Sequence, residues 1–280
     1  MQSRVLVMKI ELLTLGDTKK PEVNKIIELL NAEKEKAAQN GDAIKANNCW
    51  RELQVLELNI LFIRAFHNVK TKNYRGAWNE LEQCELIYSF IRDNSSEEYL
   101  CNPRLAFIAD KISKWQSLYP YCLFCSPGFK VGYYTCSICD HKIRPRSRCA
   151  HKKGKVYNGQ LCLHVAHDLE MLEISMVTKP VQKYSVMHDD STLDFTLLVR
   201  LSSFLDHAFE GWDLNWTTMK FPVERFKSVK NEDKCPCKSG NQFEVCCMGK
   251  EEVAIPHVDF IFSKPLPTDT EAITFPYDNG

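Results

Sequence analysis

Four residues in the middle of the chain have the types and spacing of a metal site. Cys136-x2-Cys139 is a short turn that aims two thiolates at one ion and leaves nearby backbone N–H groups free to bond them. Nine intervening residues separate Cys139 from Cys149, and His151 follows two positions later. Three cysteines and a histidine satisfy Zn2+ tetrahedrally, without redox chemistry and without an open coordination position. A second cysteine block, Cys235, Cys237, Cys246 and Cys247, offers four more thiols. Thirteen cysteines in a small secreted protein would suggest disulfides, but here most fall into these blocks beside histidines, which reads as metal ligation in a reducing compartment.

The spacing leaves a second partition open. Cys122-x2-Cys125 precedes Cys136-x2-Cys139 and the two pairs together could form a four-cysteine ribbon. Tyr121, Leu123 and Phe124 surround the first pair, an apolar setting in which free cysteine commonly packs, and this favours the Cys136, Cys139, Cys149, His151 set. A separate site at Cys122 and Cys125 would need Cys162, His164 or His167 as further ligands. The expectation is therefore two zinc ions, with a third if that separate site exists.

Between Lys142 and Lys155 lie Lys142, Arg144, Arg146, Arg148, Lys152, Lys153 and Lys155, with no acidic residue among them and Tyr157 just beyond. A basic loop on a zinc scaffold suits phosphate contacts; the alternative is a solvated loop that balances the thiolate charge. For acid–base or nucleophilic catalysis the candidates are Ser175, His188, Asp189, Asp190 and His207. No nucleophile elbow, P-loop, glycine-rich dinucleotide turn or HExxH helix accompanies them, so a non-enzymatic role is favoured.

The elements that would position these residues divide in two. Residues 1–118 read as helices. Pro21 suits a first turn, Val23, Ile26, Ile27 and Leu30 follow at helical spacing, and Asn40-Gly41-Asp42 breaks the run. Trp50, Leu53, Leu56, Ile60 and Ile63 form a second stripe, widened by Leu58 and Leu61. Ala77, Leu81, Cys84, Tyr88 and Ile91 form a third. Asn102-Pro103 starts a fourth helix, with Leu105, Ile108, Ile112 and Trp115 on one face. The start at Asn73-Tyr74 suggests a tetratricopeptide-type pair, but no second copy appears at that period, so a plain bundle is expected. Leu172, Ile174 and Met176 alternate with Glu173 and Ser175 in a strand pattern that Pro180 breaks. Residues 194–208 return to helix, Trp212 to Phe221 is mixed, Lys227 to Lys234 is a polar hinge, and His257 to Ser263 reads as a strand. The fold class expected is α+β: a helical domain over 1–118, a central zinc-binding α+β domain over 119–226, a small zinc module over 227–250 and a tail over 251–280.

Two stretches resemble known families. Residues 235–247, Cys-Pro-Cys-Lys-Ser-Gly-x5-Cys-Cys, resemble the SEC-C motif, a zinc module at the end of bacterial preprotein-translocase ATPases and in many other bacterial proteins. The resemblance makes Cys235, Cys237, Cys246 and Cys247 the four zinc ligands and Ser239-Gly240 the turn; the family's usual glycine after the second cysteine is Lys238 here. It covers about 20 residues, so it implies a module that contacts a protein partner or the ribosome, not an enzyme. The pattern Cys149-x-His151-x2-Gly154-x2-Tyr157-x-Gly159-x2-Cys162, with Leu172 to Val177 and Pro180, resembles a Cys/His-rich segment of bacterial and phage-associated proteins, some related to prohead proteases. The proteases' catalytic serine and histidine have no counterpart in this sequence, so that activity does not transfer.

Composition bounds the rest. Of 280 residues 44% are hydrophobic, enough for real cores, while 36 basic residues balance 36 acidic ones. No global field therefore calls for nucleic acid or acidic lipid. The N-terminal apolar run is interrupted by Lys9 and Glu11, and no stretch approaches the roughly 18–20 apolar residues of a membrane span. These features suggest a bacterial cytoplasmic zinc protein that works through an interaction partner. The alternatives are a nucleic-acid-binding zinc protein using Arg144, Arg146, Arg148, Lys152 and Lys153, and a hydrolase distantly related to prohead proteases.

Overall fold

The computed structural model describes residues 21–267. The readings of the first 20 residues and of the last 13 fall outside that range. The chain divides between Phe209 and Glu210 into two compact units, each described by itself.

The first unit begins with the helices that the apolar spacing predicts. Helix α1 spans Pro21–Gln39, and Gly41, at φ +74°, makes the turn that follows it. Asp42 then caps α2, Ala43–Lys70, by accepting from Lys45 N at 3.0 Å. Helix α3 spans Tyr74–Asp93 behind an Asn73 cap. A single turn, α4 (Glu97–Leu100), leads to α5, Pro103–Ser117, where Asn102 accepts from both Arg104 N and Leu105 N and Pro103 takes the first turn. Helix α2 is the central one. It packs on α1, α3 and α5, and Leu56, Leu58, Leu61, Phe62 and Ile63 are buried on more than one side of it. That is why its apolar residues do not keep to a single stripe. Leu81, Cys84 and Ile91 from α3 and Leu105, Ile108 and Ile112 from α5 complete this core. The short helix α6, Thr196–Ser203, adds Leu198 and Leu201.

Two long strands follow the helices. Strand β1 (Phe124–Cys136) pairs antiparallel with β5 (His164–Val177), and β2 (Lys142–Ile143) adds a short third strand beside β1. A two-residue hairpin, β3 (Val156–Tyr157) with β4 (Gln160–Leu161), lies in the connection between the long strands. The β1–β5 ribbon, about 40 Å long at the usual rise per residue, is fastened to opposite ends of α3. At one end Trp78 packs on Tyr119, Tyr121 and Phe124, with ring centroids 4.9, 5.1 and 6.1 Å away. Arg75 donates there to Val186 O at 3.1 Å and His188 O at 2.8 Å and pairs with Asp190. At the other end Asn94, just past α3, donates to Gly154 O at 2.8 Å and accepts from Val156 N at 3.0 Å. Gly159 N donates to Asn47 Oδ1 at 2.7 Å. Gly159 sits at φ +78°, and a Cβ there would meet the Lys34 side chain and the Ala46 carbonyl.

The second unit is built on one hairpin. Strand β6 (Trp212–Pro222) pairs antiparallel with β7 (Glu252–Phe262) in unbroken register from Trp212↔Phe262 to Pro222↔Glu252. Its connection carries the second cysteine block and a single helical turn, α7 (Phe243–Cys246). Phe226, Phe243, Val253, Cys235 and Cys247 form its buried cluster.

The α+β class is as the sequence implies, with helices first and antiparallel strands later. The alternation over Leu172 to Met176 lies in β5, residues 196–203 are helical, and the strand at His257 begins earlier, at Glu252. Strand β1 and the strand character of 212–222 differ from the reading above: Pro127, Gly128 and Gly132 interrupt the pattern in β1, and half-exposed faces blur it in β6.

Ile108 is fully buried in the helical core, so Ile108→Ala should lower the unfolding free energy of the first unit by about 2–5 kcal/mol. Urea denaturation followed by helical circular dichroism measures this; a loss under 1 kcal/mol would mean the core is not packed as described.

Candidate metal centres

The central cluster sits where β1 ends. Cys136 is the last residue of β1 and Cys139 lies in the turn after it, with Asp140 N donating to Cys136 O at 2.8 Å. That turn needs a left-handed residue behind the second cysteine, and Asp140 takes it at φ +55°. Ser137 ties the turn to the returning chain: its N–H donates to Leu163 O at 3.0 Å and its hydroxyl accepts from Leu163 N at 2.8 Å. The loop carrying Cys149 and His151 then folds over the turn. The sulfurs of Cys136, Cys139 and Cys149 and a ring nitrogen of His151 all lie within 4.8 Å of one another. Cys136 Sγ is 3.7 Å from His151 Nδ1. A tetrahedral zinc with Zn–S bonds of about 2.3 Å has S···S edges of about 3.8 Å, so donors at these separations fit one ion.

The electrostatics favour thiolate at Cys136. Burial pushes its pKa up, but the N–H groups of Ile138 and Cys139 and the thiols of Cys149 and Cys162 outweigh burial and bring it to about 6. The His151 ring meets Tyr157 edge-on at 4.7 Å, and the Tyr157 hydroxyl accepts from Lys152 N at 2.9 Å. This aromatic contact holds the histidine side of the loop.

The second cluster repeats the turn. Lys238 N donates to Cys235 O at 3.0 Å, and Lys238, directly after the second cysteine, is left-handed at φ +60°. Cys235, Cys237, Cys246 and Cys247 bring their sulfurs within 4.8 Å of one another. Cys237 and Cys246 are 3.5 Å apart, Cys246 and Cys247 3.8 Å. The Ser239 hydroxyl lies 3.2 Å from Cys246 Sγ, and Lys250 Nζ donates to Cys247 Sγ at 3.7 Å. Burial raises the Cys237 pKa, but bonds from Ser239 and the neighbouring thiols bring it to about 6, whereas burial carries Cys235 to about 12. Four thiolates around Zn2+ carry a formal charge of about −2; Lys250 lies against it.

Cys122, Cys125, Cys162 and His164 do not come together. Cys122 and Cys125 lie at the far end of β1 from Cys136, so the four-cysteine ribbon C122–C125–C136–C139 does not form. Among the described residues no group of three donors includes them. Cys162 is instead buried beside the central cluster, 3.7 Å from Cys136 Sγ. His164 pairs with Cys136 across the ribbon, its ring 6.4 Å from that of Tyr134. His167 stacks on Tyr133 and reaches the Thr135 hydroxyl at 2.9 Å.

The residues considered for catalysis have structural partners. His188 Nε2 accepts from Cys122 N at 3.2 Å and Leu123 N at 3.1 Å, with Cys122 Sγ 3.5 Å away. Asp190 is held by Arg75 and by the Tyr121 hydroxyl, Asp189 accepts from Ser191 N, and His207 Nδ1 accepts from Phe209 N. Ser175 lies on the polar face of the ribbon opposite Ser126. In the basic loop Arg144, Arg146, Arg148, Lys152 and Lys153 are exposed, while Lys142 lies over the Tyr133 ring and Lys155 bonds Asp93 O. Ser137 and Lys250 are supporting residues that sequence reasoning missed. Only the serine inside the Cys-x2-Cys turn gave a signal.

Comparison of the chain with family models, with curated proteins and with solved structures found no match. Among the described residues, no helix is long and apolar enough to cross a membrane.

Cys136→Ser should destabilise the first unit severely and release one metal ion, because the ion supplies folding free energy outright; Cys122→Ser should keep the metal. Equal metal loss in the two variants, by elemental analysis, would contradict the partition. Asp140→Gly and Lys238→Gly each relieve a left-handed side chain and should stabilise their metal-loaded unit by about 1 kcal/mol. A loss of stability in both, by thermal unfolding, would show that the turns are not strained as described.

Proposed function

We propose that this chain is a non-enzymatic zinc protein that binds protein partners, with the module at 235–247 and the β1–β5 ribbon as its contact surfaces. The observation that carries the reading is the uncovered apolar face of the ribbon. Register puts the pairs Cys125↔Met176, Pro127↔Ile174, Phe129↔Met171 and Val131↔Leu169 on one face, followed by Tyr133↔His167 and Thr135↔Val165, a bulge between Gly128 and Phe129 keeping the sides aligned. Phe129, Val165, Leu169, Met171, Ile174 and Met176 are each 44–68% exposed. The opposite face carries Ser126↔Ser175, Gly128↔Glu173 and the Lys130–Glu170 ion pair. A contiguous apolar face on an otherwise polar ribbon marks an interaction site.

The two clusters support the same reading. Each can fill four positions with protein donors, the closed pattern of structural zinc, and leaves no place for a reacting water. Zinc is the metal we assign because three or four thiolates in tetrahedral spacing suit a borderline-soft ion with no redox role. The resemblance of 235–247 to SEC-C supports partner binding by that module. Lys238 at left-handed φ, where that family carries glycine, fits the resemblance. The second reading, nucleic-acid binding, rests on the exposure of Arg144, Arg146 and Arg148 in the basic loop.

Affinity capture from nuclease-treated extract separates the two. Leu169→Asp with Ile174→Asp, and separately Cys246→Ser with Cys247→Ser, should each lose protein partners that the wild type retains. Arg144, Arg146 and Arg148 replaced by alanine should keep them. If instead the wild type shifts RNA or DNA at roughly physiological salt and the arginine variant does not, the nucleic-acid reading is the correct one.

A further inference from the structure

Beside the four mutually close donors of the central cluster stands a fifth thiol, Cys162, next to Cys136. Cys162 is fully buried, and its sulfur stands 3.7 Å from Cys136 Sγ, the same separation as His151 Nδ1 from Cys136 Sγ. The first matches the S···S edge of about 3.8 Å and the second lies close to the S···N edge of about 3.6 Å expected in one tetrahedral zinc site. Cys162 is placed by the backbone. Gly154 N donates to Cys162 O at 2.8 Å, Cys162 N donates to Lys155 O at 2.8 Å, and the β3–β4 hairpin leads directly into it. The next residue, Leu163, is tied to Ser137 in the first knuckle by two hydrogen bonds. Cys162 therefore stays beside the metal position whatever the Cys149–His151 loop does. His151 belongs to that loop, whose neighbours Arg148, Lys152 and Lys153 are exposed.

We infer that His151 and Cys162 are interchangeable donors for the fourth position of the central zinc site, the other three being Cys136, Cys139 and Cys149. This rests on the reading of the cluster as a metal centre. In one state the ion is bound by three thiolates and His151, and the basic loop is pinned to it. In the other, Cys162 gives up its thiol proton to solvent and binds as thiolate, while His151 leaves as a neutral imidazole. No bond is oxidised or reduced. The exchange adds one negative charge at the ion and releases the His151 end of the loop without losing the metal, so the segment that carries Lys152 and Lys153 has a bound and a released form, while Cys139 and Cys149 hold the arginine stretch between them in both.

The test uses the full chain with His151→Ala, Cys162→Ala and the double substitution, loaded with Zn2+ for elemental analysis and with Co2+ for absorption spectra. Both single variants should keep two metal ions per chain, and the double variant should keep one, that of the 235–247 site. In the Co2+ form, thiolate-to-metal charge-transfer intensity should be higher in His151→Ala, where the fourth donor is a thiolate, than in Cys162→Ala, where it is the imidazole. Loss of an ion in either single variant would overturn interchangeability, as would two ions retained by the double variant or equal charge-transfer intensity in the two single variants. Fewer than two ions in the wild type would instead remove the metal-centre reading itself, before the fourth ligand is at issue.

Discussion

The structure depends on cysteine and histidine donors converging, close enough together to hold a metal ion, at places where the chain has almost no apolar core. From Ser137 to Leu163 only Gly159 and Cys162 are buried. A 27-residue connection with so little burial cannot offset the conformational entropy of ordering it, which costs roughly 1–2 kcal/mol per residue for the backbone alone. Hydrogen bonds from Asn94, Asn47 and Ser137 fix its position, but each is worth only about 1 kcal/mol net. A structural zinc contributes on the order of 10 kcal/mol or more. The same reasoning holds between Lys230 and Lys250, where Cys235, Pro236, Phe243 and Cys247 are the buried residues. In both places a bound metal would make binding and local folding one event.

The helical bundle plays the opposite part. Its core is self-sufficient, and its role for the metal centre is geometric. Helix α3, 20 residues long, holds the ribbon near its first turn through Trp78 and Arg75 and just past its last turn through Asn94. The ribbon is thus fixed at both ends while its apolar face remains uncovered. An isolated two-stranded ribbon is marginal in water. Here the packed aromatic cluster stands at one end and the donor cluster that could hold a metal at the other, in place of a third strand and a covering layer. The fold accordingly tolerates exposed Leu169, Met171, Ile174 and Met176, and this is the physical basis for the proposal that a partner covers them.

How much of this was legible in the sequence follows from which interactions are local. The helices were readable because 3.6-residue periodicity, the break at Asn40-Gly41-Asp42 and the cap at Asn102 are encoded within a few positions. The ligand sets were readable because a Cys-x2-Cys or Cys-x-Cys turn is a local device, and the structure gathers the same two sets of four. Strand β1 was not, since its partner is some 40 residues away and its pattern is broken by Pro127, Gly128 and Gly132. Strand β6 pairs with β7 across the whole cysteine module, so nothing near Trp212 announces it. Cys162 was visible as a spare donor, but its place beside Cys136 depends on the β3–β4 hairpin and on Ser137, which spacing alone does not reveal.

The most direct test of the account is the mass of the intact chain sprayed from native buffer after purification without chelator. The account predicts the mass of the reduced polypeptide plus two zinc ions, less the protons displaced from the thiols, collapsing to the bare reduced mass in acid. A bare reduced mass in native buffer, or a mass lowered by pairs of hydrogens from disulfides with no added metal, would contradict it.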